Sequence, residues 1–174
     1  VRHHPDVDDA AKEHPNVTAV LAAAAAAGLD VTVAEFPEGT RTAADAAAAV
    51  GSDVSAIVKS LVFRVVGGPE GDRVVLALVG GADRLDESRL AAAAGAERAE
   101  RVDADEVRAA TGYAIGGVPP LGHPTPLPTW IDDHLLVPTR VWAAAGTPRH
   151  VFAVAPADLV AATGATVTVV REGD

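Results

Sequence analysis

The sequence predicts a single α+β domain with a curled, barrel-like mixed β-sheet flanked by short helices. Three observations predict it. Short β-rich runs interleave with short helical runs along the chain, so sheet and helix must share one core. No segment recurs at a fixed period, which argues against solenoids and propellers. Hydrophobic residues make up 49% of the 174 residues but aromatics only 3%. The core is therefore built from Val, Leu, Ile and Ala, in a chain long enough to bury it as one domain.

Residues 1–14 are polar and aperiodic and read as a flexible lead, with the domain spanning 15–174. The chain opens at Val1 and contains no methionine, so the natural start is expected upstream. Arg2-His3-His4 does not resemble the opening of a signal peptide. A helix is expected over 15–27, with Pro15 in its first turn, Val17, Val20, Leu21 and Ala24 on one face, and Gly28 as its stop. Residues 31–36 alternate and are β-rich, giving a strand closed by Pro37. Thr42 with Asp45 forms a cap for a helix through Val50, ended by Gly51. A turn over 53–56 leads into the next strand.

That strand, 57–66, places Ile57, Lys59, Leu61, Phe63 and Val65 on one face and Val58, Ser60, Val62, Arg64 and Val66 on the other. Lys59 is one of two lysines among 14 basic residues, and its face is otherwise apolar. It must reach an edge, find a counter-charge or serve a pocket, because an unpaired buried ammonium is costly. The turn at Gly67-Gly68-Pro69 joins it to a strand over 73–79 in a β-hairpin. Asp86 starts a helix to Ala94, 96–102 is a short strand, and Asp103 with Glu106 caps a helix to Ala110. Short strands follow at Trp130-Ile131, 135–137 and 141–143. After a turn at Gly146-Thr147-Pro148 come a strand over 150–154, a helix from Pro156 to the stop at Gly164, and a closing strand over 167–170.

Between the fourth helix and Trp130 lies Thr111-Gly112-Tyr113-Ala114-Ile115-Gly116-Gly117-Val118-Pro119-Pro120-Leu121-Gly122. Glycines allow positive φ or close backbone approach, and consecutive prolines stiffen the chain and remove donors. Such a loop can present main-chain N–H groups to a ligand, or serve as a tight crossover.

Composition excludes several chemistries. The formal charge of −10 rules out coating a nucleic acid backbone by charge alone, so any nucleic acid contact is local. The absence of cysteine removes disulfides, thiolate metal sites and cysteine nucleophiles. None of the four serines, Ser52, Ser55, Ser60 and Ser88, sits in a nucleophile elbow. No glycine spacing of the phosphate-loop type precedes Lys59. The histidines lack metal-ligand spacing, and no stretch approaches the roughly 18 apolar residues of a membrane span. No metal, cofactor or membrane contact is expected, and the cytoplasm is the expected compartment.

The run Ile57-Val58-Lys59-Ser60-Leu61-Val62-Phe63, the loop with Gly116-Gly117-Val118 and Pro120-Leu121-Gly122, then Ile131-Asp132, Gly146 and Ala155-Pro156-Ala157-Asp158-Leu159, together resemble the YbaK/EbsC family. These are free-standing relatives of the editing insertion domain of prolyl-tRNA synthetases. The resemblance implies hydrolysis of the ester that joins a wrong amino acid to the 3′-terminal adenosine of tRNA, with tRNA for proline as one expected substrate. It implies that Lys59 is the essential lysine and that Ser60, Gly116, Gly117, Val118, Pro120, Gly122, Asp132 and Gly146 form the substrate site. Its expected partners are the acceptor end of aminoacyl-tRNA and an aminoacyl-tRNA synthetase.

Two departures bear on substrate identity: Pro119 replaces a serine common in the family, and Ala144-Ala145-Gly146 replaces a Ser-Gly-Gly stretch. His123 and His150 are secondary acid–base candidates. A non-catalytic relative that binds a nucleotide, an aminoacyl adenosine or a synthetase is the alternative reading. A basic rim from Arg64, Arg140 or Arg149 around Lys59 is expected of the enzyme, and an acidic rim of the alternative.

Overall fold

The structure, a computed structural model, describes residues 14–36 and 42–174. All but His14 of the expected lead, and the strand stop at Pro37, lie outside the described residues. Helix α1 (Pro15–Ala26) starts as its residues dictate: Pro15 fills the first turn and His14 Nδ1 accepts the Asn16 amide at 3.2 Å. Val17, Val20 and Ala24 are fully buried, and burying each valine contributes about 1.5–3 kcal/mol. Strand β1 (Val33–Glu35) follows. Helix α2 (Ala43–Val50) is capped by the Thr42 hydroxyl, which accepts the Asp45 amide at 3.1 Å. A 3₁₀ turn, Val54–Ala56, capped by Asp53, delivers the chain into β2 (Val58–Val66).

The remaining elements are β3 (Arg73–Gly80), α3 (Glu87–Ala93), β4 (Arg98–Arg101), α4 (Ala104–Thr111), β5 (Thr129–Asp132), β6 (Val141–Ala144), β7 (His150–Val154), α5 (Pro156–Thr163) and β8 (Thr166–Thr168). They form a five-stranded sheet in the order β4-β2-β3-β5-β8 and a three-stranded sheet in the order β1-β7-β6. The expected hairpin is the centre of the larger sheet, with Val58 opposite Gly80 and Val65 opposite Arg73. Strand β5 runs parallel to β3 and β8 parallel to β5, so the sheet is mixed.

Barrel closure is the part of the expected fold that the structure does not show. Both sheets are open among the described residues, and the single bridge between them joins Ile57 to Trp142. Helix α3 covers part of the larger sheet, its Leu90 and Ala91 packing in one cluster with Ala99 of β4 and Val170.

Both faces of β2 are covered. Phe63 and Val65 join Val75, Ala77, Val79, Leu90 and Trp130 in one cluster. Val58 and Val62 join Leu76, Leu78, Val17, Val20 and Phe152 in the other. This double burial is why β2 and β3 read as almost continuous apolar runs.

Residues 135–137 do not form the expected strand. Asp132 accepts the His134 amide at 3.1 Å and opens a 3₁₀ helix, Asp133–Leu136, which buries Leu135 and leaves Leu136 and Val137 exposed. A local side-chain cap thus overrides β-propensity. No helix among the described residues is long and apolar enough to cross a membrane.

Candidate active site

The glycine-proline loop is a closed clasp. Gly112 ends α4 in the left-handed region at φ +83°, and Tyr113, which is buried, donates its hydroxyl to the Gly122 carbonyl at 2.9 Å. His123 Nε2 lies 2.8 Å from the Pro119 carbonyl, with its ring edge-on to Tyr113. Burial lowers the His123 pKa, opposed by that backbone contact. Gly117 lies where its missing Cβ would stand 2.8 Å from Thr147 Cα, so only glycine lets the loop settle on the β6–β7 turn. Gly116 has φ +88°, and a Cβ there would make ordinary contact with the Pro148 ring at 3.7 Å.

Lys59 crosses the end of β3 and donates from Nζ to the backbone carbonyl of Asp83. Its half-buried position lowers its pKa: desolvation is the main cause, the Asp83 carboxylate opposes it and the Arg84 charge adds to it. The lysine has thus both reached an edge and entered a pocket. Ser60, next to it, carries a hydroxyl that is buried and without a hydrogen-bond partner.

Two clefts meet at these residues. The larger, about 710 Å³, is walled by residues that include Lys59, Ser60, Arg84, Glu87, Gly116 and Val118. The smaller, about 310 Å³, shares Lys59, Ser60, Gly116 and Val118 and adds Ala46, Ile57, Trp142, Thr147, His150 and Val151. The Thr147 hydroxyl accepts the Arg149 amide at 3.1 Å and lies 2.6 Å from His150 Nδ1. His150 is buried, and desolvation lowers its pKa, so the ring is neutral near pH 7.

The structure therefore brings together Lys59, Ser60, Gly116, Val118 and His150 of the residues singled out in the sequence. Gly117, Pro120, Gly122, His123, Asp132 and Gly146 are not in the cleft walls. Pro120 is in the buried part of the loop. Gly122 packs against Ala23 of α1. Gly146, at φ +101°, sits against the Asn16 backbone, and its carbonyl accepts the Asn16 amide side chain at 3.1 Å. These glycines tie the loop and the β6–β7 turn to α1.

Asp132 is a fully buried hub. Its carboxylate accepts the Val170, Arg171 and His134 amides and the Arg171 guanidinium, pinning the chain's last residues to β5. Its ligand atoms lie near those of Asp83 and His134, but those four donors already occupy its oxygens.

The rim differs from the expected one. Arg64 is paired with Glu106, Arg140 stacks over the Trp142 ring at 5.1 Å, and Arg149 lies outside both cleft walls. Instead Lys59, Arg84 and Arg101 line the larger cleft together with Asp86, Glu87 and Glu172. The rim is mixed, neither wholly basic nor acidic. Asp83, Arg84 and Trp142 were missed in the sequence because their only local signals are a turn and an alternating strand.

The mixed-sheet α+β domain thus carries a half-buried lysine beside a glycine loop, where a larger cleft adjoins a smaller one. Residues 37–162 match the aminoacyl-tRNA editing domain, and the chain belongs to this family, in its YbaK/EbsC group. It is 32% identical over 127 residues to YwhH of Bacillus subtilis (strain 168), an uncharacterized protein, covering 73% of this chain and 78% of YwhH. It is 29% identical over 122 residues to EbsC of Enterococcus faecalis (strain ATCC 700802 / V583), provisionally named a Cys-tRNA(Pro)/Cys-tRNA(Cys) deacylase, covering 70% of this chain and 72% of EbsC. A crystal structure described provisionally as a trans-editing enzyme for prolyl tRNA synthetase superposes with TM-score 0.80 at 46% identity, covering 92% of this chain and 99% of that one. The hypothetical protein APE2540 superposes with TM-score 0.79 at 33% identity, over 88% and 99% of the two chains.

Proposed function

We propose that this protein is a trans-editing hydrolase that cleaves the ester between a mischarged amino acid and the 3′-terminal adenosine of tRNA. The observation that carries the reading is the junction of the two clefts at Lys59 and Gly116. The larger cleft takes the adenosine and the smaller takes the amino acid side chain, which places the ester at the lysine.

Water adds to the ester carbonyl, and the carbon–oxygen bond to the ribose then breaks, with a proton passing to the departing ribose oxygen. The developing oxyanion needs donors aimed at it. Gly117 is not one, because its amide already donates to the Ala114 carbonyl at 3.0 Å. Its neighbours Gly116 and Val118 line both clefts and are the loop's candidates. Lys59 supplies the nearby positive charge. His150, neutral in the smaller cleft, can accept the water's proton. The unpartnered Ser60 hydroxyl offers a hydrogen bond to the substrate.

The smaller cleft rejects large side chains sterically, at about 1–3 kcal/mol per methylene. The activities for which EbsC and the trans-editing relative are named nominate cysteinyl-tRNA and tRNA for proline as first substrates here. The test is a deacylation screen of mischarged tRNAs, beginning with alanyl- and cysteinyl-tRNA for proline, with wild type and Lys59→Ala, with and without a synthetase. Cleavage of one ester that the variant loses while remaining folded supports the reading. No cleavage across the panel favours the non-catalytic binder.

A further inference from the structure

The cation at the mouth of the larger cleft has no assigned role. Arg84 follows Asp83, whose carbonyl holds Lys59. It precedes Leu85, which bridges to Arg171. The Arg84 carbonyl accepts the Glu172 amide at 2.7 Å, so its backbone is fixed while its side chain is exposed in the cleft wall.

The other charges of this cleft are engaged, with one exception. Lys59 donates to Asp83, and Arg101 faces Glu87 at 3.7 Å. Asp86 caps α3 through the Ser88 and Arg89 amides. The exception is Glu172, which sits beside Arg84 in the bridge register. Among the described residues no ion pair or side-chain hydrogen bond engages either Arg84 or Glu172. Arg84 is also close enough to Lys59 for its charge to act on the ammonium.

Two cations held together on one wall, in a chain of net charge −10, favour an incoming anion. A guanidinium with its fork free is suited to a phosphate. With the ester at Lys59, the nearest anion of the substrate is the phosphate on the 5′ side of the terminal adenosine. We infer that Arg84 anchors this 5′-phosphate at the mouth of the larger cleft, positioning the ester at Lys59, with Glu172 opposing the contact. The inference rests on the editing reading above.

The test uses two hydrolysis-resistant aminoacyl-adenosine analogues, amide-linked at the 3′ position, one with a 5′-phosphate and one with a 5′-hydroxyl. Affinities are measured by calorimetry for the wild type, Arg84→Gln, Arg84→Lys and Glu172→Gln. Wild type is expected to bind the phosphorylated analogue about tenfold or more tightly, the usual scale of a charge-assisted contact. Arg84→Gln should bind both analogues alike, Arg84→Lys should keep part of the preference, and Glu172→Gln should enlarge it. No preference in the wild type, a preference that survives Arg84→Gln, or an equal loss for both analogues overturns the inference. The readout does not depend on catalysis. If the phosphate preference follows Arg84 but no ester is cleaved, the anchor stands and the editing reading fails. If esters are cleaved and Arg84→Gln leaves KM unchanged, the reverse holds.

Discussion

The Lys59 ammonium donates to the backbone carbonyl of Asp83, 24 residues further along the chain. One residue thus holds the lysine twice, by its carbonyl directly and by the field of its carboxylate. The same carboxylate lies 2.8 Å from His134 Nδ1, which links the cleft to the Asp132 hub.

This relationship sets a pH dependence. If the ammonium is the working form, activity falls as Lys59 loses its proton, at a pH below the ordinary lysine value because burial lowers its pKa. The Asp83 carboxylate favours the charged form, so Asp83→Asn lowers the pKa further and moves the alkaline limb to lower pH. The Arg84 charge disfavours it, so Arg84→Gln moves the limb up. The check is kcat/KM against pH on a cleaved aminoacyl-tRNA, corrected for spontaneous hydrolysis. Shifts in the same direction for both variants sink this assignment.

Ser60→Ala separates stability from binding. Its hydroxyl is buried and unpartnered, and such a group costs about 1–3 kcal/mol. Removing it should leave the denaturant midpoint unchanged or raised, while KM rises if the hydroxyl meets substrate. A clear loss of stability would show that the hydroxyl already has a partner in the free protein.

The paired glycines should fail for different reasons. Gly117→Ala puts a methyl 2.8 Å from Thr147 Cα and should cost about 1–3 kcal/mol, the usual scale of overpacking. Gly116→Ala meets no crowding but must hold φ +88°, for about 1–2 kcal/mol. Urea unfolding gives both values. Fluorescence of a probe at position 148 should report displacement of the β6–β7 turn only for Gly117→Ala.

Asp132→Ala tests whether this residue is a fold element. The substitution strands the buried Val170 and Arg171 amides, each at about 1–3 kcal/mol. Thermal unfolding should fall by several degrees, with faster amide exchange over 166–171. Full stability combined with lost activity would return Asp132 to the substrate site.

Much of the local structure was legible because its causes are local. Thr42, Asp86 and Asp103 cap the helices they were expected to cap, and Gly51 and Gly164 end helices at positive φ. The β2–β3 hairpin followed from two apolar, β-rich runs around a glycine turn. The 3₁₀ helix after β5 was missed because its cause is a competing cap: Asp132 accepts the His134 amide two residues on while also holding the last residues.

By itself the sequence determined the helix ends, the central hairpin and the aliphatic core, and singled out Lys59 and the glycine loop as candidates, since each signal depends on residues within a few positions of one another. Only the tertiary structure decided that the sheets stay open, that the Asp132 carboxylate gathers the last residues while Gly122 and Gly146 lie against α1, and that Asp83 and Arg84 flank the lysine. Those facts depend on which distant segments pack together. A carboxylate acquires its role from the donors that surround it, and the packing of the whole chain brings those donors into place.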